Sequence, residues 1–253
     1  MATTKQALVP GILGGMGPLA HIELERRMLR VSTELGARTD QDHPMWVLVN
    51  ATHTPDRTAS LHGKAEHSGD FISMYASLLE HGGADFMVVV CNTAHAFYEE
   101  VAATLSIPWI HIIDVTAEHI HRHFPEVDVV GVLQTDGCGK AGMYAKHFGD
   151  RGFRVVTPYA TDDAAQAGTM EIAYHPEWGV KATGDVVSPQ AVARLRESIE
   201  WLATHGAQIA VTGCTEYSAA AALLRGPAIA MVDPLDVLAR RTVELAMGHA
   251  ALI

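Results

Sequence analysis

Cys91 and Cys214 are the residues of this sequence best suited to acid–base chemistry. Each directly follows an apolar stretch typical of a buried strand and precedes polar residues that could open a helix. The two segments read Cys91-Asn92-Thr93-Ala94-His95 and Gly213-Cys214-Thr215-Glu216. A thiol at a helix N-terminus meets unpaired backbone N–H groups and the positive end of the helix dipole, which favour the thiolate, and the same groups with the threonine hydroxyls could bind an anion. A single buried cysteine is more often inert packing, so the argument depends on the two being equivalent.

The sequence repeats itself in a way that makes the two cysteines equivalent. Three pairs of segments recur in the same order: residues 11–17 with 131–137, 83–91 with 206–214, and 108–114 with 227–233. The three offsets are 120, 123 and 119 residues. The repeat predicts two homologous halves, a first half of residues 1–114 plus 235–253 and a second half of residues 115–234. We expect the last helix to pack back on the first half.

Apolar runs without polar alternation mark the strands. They cover residues 8–13, 46–50, 86–90, 109–113, 129–133, 153–156, 208–212 and 228–232. Helical periodicity between them is clearest in residues 18–31, 71–81, 190–204 and 235–247. Such a pattern is typical of parallel strands buried on both faces, with helices as crossovers. We predict an α/β fold of two domains related by a pseudo-twofold axis, each with a four-stranded parallel sheet flanked by helices, and an active site in the cleft between them.

Two thiols on opposite sides of such a cleft could invert a carbon atom. One thiolate would remove a proton while the opposing thiol delivers another from the far face, and activated thiols reach the pKa range that such acid–base work requires. His95 and Glu216, close in sequence to the two cysteines, could help to ionise them. The alternative is that both are ordinary polar residues of a helix surface.

Four motifs resemble the aspartate/glutamate racemase family, in particular its aspartate racemase branch. They are Gly11-Ile-Leu-Gly-Gly-Met-Gly-Pro-Leu19, Thr54-Pro55-Asp56-Arg57-Thr58, Cys91-Asn92-Thr93-Ala94-His95 and Gly213-Cys214-Thr215-Glu216, with Thr135-Asp136-Gly137 as a weaker fifth. The resemblance runs from about residue 8 to 235. It implies a racemase that uses its two cysteines as the acid–base pair without pyridoxal phosphate, metal or nucleotide. It also implies two pseudosymmetric α/β domains and, commonly, a homodimer.

The resemblance assigns the substrate's side-chain carboxylate to an arginine and a lysine, and Arg57 and Lys181 match those positions. A planar guanidinium can bind a carboxylate through two hydrogen bonds; the alternatives are a structural ion pair for Arg57 and a solvated loop cation for Lys181. The other candidate substrate-binding residues are Met16, Asn50, Asn92, Thr93, Thr135, Thr215 and Glu216. We expect an acidic amino acid, aspartate first. Because Cys138 replaces the threonine usual in the family at this point, glutamate and the sulfonate analogue cysteate also stay open.

Composition limits the possible partners and compartment. The 253 residues are 48% hydrophobic and carry a net charge of −11, which argues against nucleic-acid binding. The sequence contains no apolar run long enough to span a membrane, and its first residues lack the features of a secretory signal. Three cysteines are too few for a disulfide framework. We expect a cytoplasmic protein with reduced thiols.

Other functions compete with this interpretation. Residues 15–20 satisfy the dinucleotide fingerprint, but Asn50 stands where an acidic residue should hold the ribose, so we interpret the loop as a turn at the substrate cleft. The string His119, His121, His123 could suggest a metal, although only the first and last share a helix face, and a solvated helix surface is the simpler account. A small-molecule sensor stays open, as does another cysteine-pair enzyme, such as a hydantoin racemase or maleate isomerase.

Overall fold

The computed structural model describes residues 8–252 as two four-stranded sheets. The first sheet contains β1 (Pro10–Gly14), β2 (Val47–Asn50), β3 (Phe86–Val89) and β4 (Trp109–Ile110) in the order β2-β1-β3-β4. The second contains β5 (Val129–Gln134), β6 (Arg154–Val156), β7 (Ile209–Gly213) and β8 (Ala230–Val232) in the order β6-β5-β7-β8. Every pairing is parallel. The two sheets therefore share one topology, which confirms the predicted fold class.

Twelve α-helices connect the strands within residues 8–252. They are α1 (Pro18–Glu34), α2 (Arg57–Leu61), α3 (Ser68–His81), α4 (Tyr98–Ala102), α5 (Ile112–His123), α6 (Asp136–Ala141), α7 (Met143–Gly149), α8 (Asp163–Tyr174), α9 (Val180–Thr183), α10 (Pro189–Thr204), α11 (Thr215–Ala221) and α12 (Pro234–Ala246). Short 3-10 helices cover Asp40–Asp42 and Thr93–Phe97. None of these helices is long and apolar enough to cross a membrane. The secretory-signal prediction and residues 1–7 of the predicted first half lie outside the described part of the chain.

A glycine in the first strand of each half explains part of the sequence repeat. A Cβ atom on Gly11 would lie 2.9 Å from the Cβ of Ala84, and one on Gly131 would lie 2.8 Å from the Cβ of Ala207. Both distances are well below the roughly 3.5–4.0 Å at which carbon atoms pack favourably. Each sheet therefore needs glycine where its first strand passes the alanine that lies two positions before the third strand. The repeat preserves both partners of this contact.

The boundary between β4 and α5 differs from the prediction. The strand predicted over 109–113 ends at Ile110, and α5 already begins at Ile112. The His111 side chain caps this helix, because its Nδ1 accepts a hydrogen bond from the backbone N–H of Asp114 at 3.3 Å. Ile112 and Ile113 are fully buried in the first helical turn, so an apolar run that looked like a strand serves a helix instead.

Helix α12 returns from the second sheet to the first half, as expected. It packs against α1 and α5. Arg27 of α1 donates a hydrogen bond to Asp233 over 2.5 Å, and the Arg27 side chain is almost fully buried. Asp233 is also the N-cap residue of α12. Leu235 and Leu238 are fully buried in a core that also contains strand residues of both sheets. One apolar core therefore extends across the two halves.

Candidate active site

The two cysteines of the sequence repeat lie at matching ends of interior strands. Cys91 comes just after β3 and before the 3-10 helix Thr93–Phe97, and Cys214 follows β7 as the N-cap of α11. Both are nearly buried, with 6% and 5% of their surface exposed. They therefore occupy the carboxyl ends of parallel strands, where functional groups of α/β proteins usually collect.

Cys214 is connected to two other residues through the carboxylate of Glu216. The Cys214 thiol donates a hydrogen bond to Oε2 of Glu216 over 3.0 Å. The other oxygen, Oε1, accepts from Lys181 Nζ at 2.5 Å and from the backbone N–H of Gly17 at 3.3 Å. Gly17 belongs to the first half of the chain and the other residues to the second. The carboxylate therefore bridges the two halves.

The charges around Cys214 favour its protonated form. Burial raises the pKa of the Cys214 thiol well above its usual range, and the negative charge of Glu216 raises it further. Burial would also raise the pKa of Glu216, but the Lys181 ammonium and the hydrogen bond from Cys214 outweigh it and lower this pKa to about 2. The expected help of Glu216 in ionising Cys214 gains no support from these charges, because an ionised carboxylate opposes a second negative charge beside it.

Arg57 is the charged neighbour of Cys91. It is the first residue of α2, which Asp56 caps by accepting a hydrogen bond from the backbone N–H of Ala59 at 2.8 Å. Its guanidinium interacts electrostatically with Cys91. Its hydrogen bonds go to the carbonyl oxygens of Thr54, Pro55 and Met16 at 3.2, 3.0 and 2.8 Å. Only 7% of Arg57 is exposed, so this cation is held in place by the protein itself.

The charge on Arg57 has the opposite sign to the charge on Glu216. Burial would lower the pKa of Arg57, but its attraction to Cys91, Tyr174 and Asp56 outweighs burial and raises that pKa. The two cysteines thus have charged neighbours of opposite sign.

His95 fixes the backbone at Cys91 rather than acting on its sulfur. The ring Nδ1 pairs with the carbonyl oxygen of Cys91 at 2.9 Å, and Nε2 accepts from Trp109 Nε1 at 3.1 Å and from the backbone N–H of Ile112 at 3.2 Å. Burial lowers the pKa of His95 to about 4. The neutral ring has both nitrogens engaged, so the expected role in ionising Cys91 is not one that these contacts support.

Hydroxyl and thiol groups of the two halves meet beside the cysteines. Thr93 Oγ1 and Thr135 Oγ1 are 2.9 Å apart, and the Cys138 thiol donates to Thr93 over 3.5 Å. Burial raises the pKa of Cys138 to about 12, so this third thiol stays protonated. Asn92 accepts from the Tyr144 hydroxyl at 2.8 Å, while its Nδ2 is buried without a partner among residues 8–252.

A cavity of about 640 Å³ opens where the two halves meet. From the first half it is lined by the loop of residues 15–17, by the first turn of α1 and by Arg57, and from the second half by Lys181, Thr215 and Glu216. Arg57 and Glu216 are the charged neighbours of the two cysteines, while Cys91 and Cys214 themselves are not part of the cavity lining. Of the remaining candidates, Met16 also lines the cavity. Asn92, Thr93 and Thr135 are buried and are not part of its lining.

The loop that satisfies the dinucleotide fingerprint has a packing reason for its glycine. Gly15 has a φ of +88°, and a Cβ there would lie 2.5 Å from the backbone nitrogen of Ala51 and 2.7 Å from Oδ1 of Asn50. Glycine is needed because the end of β2 passes so closely. Asn50 itself is exposed and lies beside this loop, outside the cavity lining.

Tyr174 is a residue of the site that sequence reasoning missed. Its hydroxyl donates to Oδ2 of Asp56 at 3.3 Å, which joins the end of α8 to the loop before α2 in the other half. Lys181 Nζ lies 5.5 Å from the centre of the same ring. Burial raises the pKa of Tyr174 far above its usual range, so the hydroxyl keeps its proton. Nothing near Tyr174 in the sequence indicates a partner 118 positions away.

One cluster within the described residues has the composition of a metal site. Potential ligand atoms of His111, Asp114 and His147 lie within 4.8 Å of one another. Asp114 is already bound by His147 Nδ1 at 2.9 Å and by Arg151 at 3.0 Å. The His111 and His147 rings are stacked with centroids 4.4 Å apart, so a single ion could not lie in both ring planes. The cluster is better explained as an ion-paired contact between α5 and α7.

The histidine string lies on α5 as expected. The rings of His119 and His123 stack with centroids 4.2 Å apart, which confirms that these two share a face. His121 and His123 are exposed. The arrangement agrees with a solvated helix surface.

Known proteins resemble the chain over nearly its whole length. The sequence model of the Asp/Glu/hydantoin racemase family matches residues 13–242. The broad-specificity amino-acid racemase RacX of Bacillus subtilis is 28% identical over 243 residues, which is 94% of this chain and 98% of that protein. A glutamate racemase of Deinococcus radiodurans is 28% identical over 218 residues, or 85% of this chain and 69% of the other.

A solved structure shows the same architecture. The aspartate racemase of Picrophilus torridus superposes with a TM-score of 0.77 at 24% identity, covering 95% of this chain and 94% of that one. At this level of identity the likeness shows the fold alone.

Proposed function

The chain belongs to the Asp/Glu/hydantoin racemase family, and we propose that it inverts the α-carbon of an amino acid with Cys91 and Cys214 as the acid–base pair. The observation that carries this proposal is the paired placement of the thiols. Each follows an interior strand of its own sheet, and each contacts a charged side chain that lines one shared cavity. This symmetry is what proton transfer on two faces of one carbon requires.

Arg57 and Glu216 would give the two cysteines opposite roles in the resting enzyme. We assign the part of the base to Cys91, beside the Arg57 guanidinium, whereas burial and the ionised Glu216 carboxylate keep Cys214 protonated. Cys91 then removes the α-proton, and the electron pair left behind is delocalised into the substrate's α-carboxylate. Cys214 delivers its own proton to the opposite face and becomes the thiolate. The reverse reaction uses the same groups in the opposite order.

The delocalised charge needs hydrogen-bond donors, because electrostatic stabilisation of a developing anion is usually a large part of catalysis. Thr93 and Thr215 lie directly beside the cysteines, and Thr135 contacts Thr93. The unpartnered Nδ2 of Asn92 is one further donor. We propose that these residues hold the substrate's α-carboxylate and α-amino groups once a substrate separates their present partners. No pyridoxal phosphate, metal or nucleotide takes part in the scheme.

For the substrate we propose an acidic amino acid, aspartate first, with glutamate and cysteate as further candidates. Arg57 and Lys181 support this choice because both cations line the cavity. The relative from Deinococcus radiodurans is named a glutamate racemase, while the relative RacX is named for broad specificity. The alternative is another cysteine-pair reaction of the family, such as racemisation of a hydantoin or isomerisation of maleate.

Chiral chromatography tests the proposed function directly. The purified protein, with no added cofactor, is incubated with single enantiomers of aspartate, glutamate, cysteate and neutral amino acids, and separately with a hydantoin and with maleate. We expect the opposite enantiomer to accumulate from an amino acid and to be absent with the Cys91→Ala variant. Turnover of only the hydantoin or only maleate would replace the proposal by its alternative.

Two predictions on organisation and location complete the proposal. We propose that residues 1–114 plus 235–253 and residues 115–234 act as the two lobes of the enzyme, and that the protein is a cytoplasmic homodimer. Light scattering on the eluted protein measures the mass, for which a dimer should give twice the chain's 27.2 kDa. A mass of one chain at working concentration would contradict the dimer.

A further inference from the structure

We infer, on the premise of the proposed racemase function, that Tyr144 is a positioning residue, whose hydroxyl turns the Asn92 carboxamide so that its Nδ2 group is left to the substrate's α-carboxylate. Tyr144 belongs to α7 of the second half, and Asn92 directly follows Cys91 in the first half. The two residues are 52 positions apart in the sequence. Three features of the molecule support this role: the place of the phenol ring, the hydrogen bond of its hydroxyl, and the state of the amide.

The ring of Tyr144 lies directly against the segment that carries Cys214. A Cβ atom on Gly213, the residue before Cys214, would be 2.9 Å from Cε2 and 3.0 Å from Cζ of this ring. Only glycine lets the ring approach the backbone so closely. On the other side the Phe148 ring has its centroid 5.6 Å away, and Tyr144 is fully buried. The hydroxyl is therefore held in one place, between the segments of the two cysteines.

Tyr144 donates a hydrogen bond to Asn92 across the boundary between the two halves. Its hydroxyl lies 2.8 Å from Oδ1 of Asn92. Burial raises the pKa of Tyr144 well above its usual range, so the hydroxyl keeps the proton that this bond requires. An asparagine N-cap usually accepts a backbone N–H of its own helix, but the Asn92 side chain makes no such bond to the 3-10 helix Thr93–Phe97. The phenol therefore replaces the local cap as the partner of Oδ1.

This hydrogen bond decides which end of the carboxamide stays free. With Oδ1 bound to Tyr144, the Nδ2 group has no hydrogen-bond partner among residues 8–252, although only 2% of Asn92 is exposed. Buried polar groups are nearly always hydrogen-bonded, and an unpaired donor is costly. The substrate's α-carboxylate would satisfy Nδ2 through a charge-assisted hydrogen bond. A rotated amide would instead turn its oxygen toward this anion, and Tyr144 disfavours that state because its proton would lose its acceptor.

A double-mutant cycle tests the role of Tyr144, because such a cycle isolates the coupling between two residues. Chiral chromatography measures kcat/KM for Tyr144→Phe, Asn92→Ala, the double variant and the wild type. The substrate is aspartate, or the amino acid that the wild type racemises fastest if that is another one. Tyr144→Phe removes one oxygen atom and keeps the ring beside Gly213. We expect it to lower kcat/KM by about fivefold in the wild-type background, as for one neutral hydrogen bond.

In the Asn92→Ala background, Tyr144→Phe should change kcat/KM by less than about twofold, since the amide that it orients is gone. Tyr217→Phe is the matched control. Tyr217 is also fully buried, and its hydroxyl has no hydrogen-bond partner in the described part of the chain. Its loss should change kcat/KM by the same factor in both backgrounds.

Three results would overturn the inference while leaving the racemase function intact. They are no effect of Tyr144→Phe, an equal effect of Tyr144→Phe in both backgrounds, and a coupling of Asn92 to Tyr217 as large as its coupling to Tyr144. The last two would mean that Tyr144 acts through the stability of the fold and not through the amide. Absence of racemisation with every amino acid would overturn the proposed function, and this inference with it.

Discussion

Replacing Glu216 with glutamine should change how the reaction depends on pH. The substitution keeps the size of the side chain and removes its negative charge. This charge is the second-largest cause, behind burial, of the raised pKa of Cys214. A charge-assisted hydrogen bond contributes about 1.5–3 kcal/mol, and one pKa unit corresponds to about 1.4 kcal/mol. The pKa of Cys214 should therefore fall by roughly one to two units. Lys181, which already lowers this pKa, would no longer be neutralised by its partner and would add to the fall.

The sign of the effect follows from the proposed role of Cys214 as the acid. Activity in that direction requires the protonated thiol, so it is lost as pH rises through the pKa of Cys214. In Glu216→Gln the basic limb of the kcat/KM profile should move to lower pH by about one to two units. The profile is measured for each enantiomer separately by chiral chromatography across the alkaline range.

Two further variants control this experiment. Thr215→Val removes the neutral hydrogen bond from Thr215 to Glu216, at 3.3 Å. It also removes a proposed substrate contact and should lower kcat/KM at every pH, but it should move the limb by less than about half a unit. Lys181→Gln removes the cation that lowers the pKa of Cys214, so its limb should move upward instead. A basic limb that stays in place in Glu216→Gln, or moves in the same direction in both charge variants, would refute the reasoning.

The other predictions concern the thiols, the arginine and the path of the proton. Cys91→Ala and Cys214→Ala should each lower the rate of racemisation by at least about a hundredfold, whereas Cys138→Ala should keep most of the activity. A rate above about a tenth of the wild-type value in Cys91→Ala or Cys214→Ala would contradict the assignment of these two cysteines as the acid–base pair. Arg57→Ala should lower kcat/KM for aspartate and glutamate by roughly 10–150-fold, and Arg57→Lys should restore kcat/KM only in part. Unchanged kinetics in Arg57→Ala would exclude this residue from the site. In D₂O, product isolated early should carry deuterium at the α-carbon while unreacted substrate keeps its hydrogen, as mass spectrometry of the separated enantiomers would show. Substantial protium in that early product would indicate a single base.

The architecture was predictable because the repeat preserves contacts rather than isolated residues. Gly11 with Ala84 and Gly131 with Ala207 make the same close approach in the two sheets, which leaves no room for a side chain at either glycine. Two such pairs, separated in sequence by nearly the same number of residues, therefore indicate that the two sheets share one topology. The positions of Cys91 and Cys214 at strand ends followed from the same repeat.

What could not be predicted depends on long-range contacts. The carboxylate of Glu216 looked like a base for Cys214, but its hydrogen bond to Gly17 spans 199 positions, and its ion pair with Lys181 fixes it as an anion. His95 is close to Cys91 in sequence, yet its ring faces Trp109 and the start of α5. The beginning of α5 itself depends on the side chain of His111, a capping residue with no strong sequence signal.

The return of α12 to the first half has a consequence for how the molecule unfolds. Leu235 and Leu238 lie in the same core as Leu24 of α1, Val130 of β5 and Ile209 of β7. Opening either half would expose apolar surface that the other half covers, and the last helical segment cannot leave its site without disturbing both. Since the two halves share one apolar core, we expect them to unfold in a single cooperative transition, as one domain does, rather than in two separate melting steps. A lobe expressed by itself would lack part of its own core.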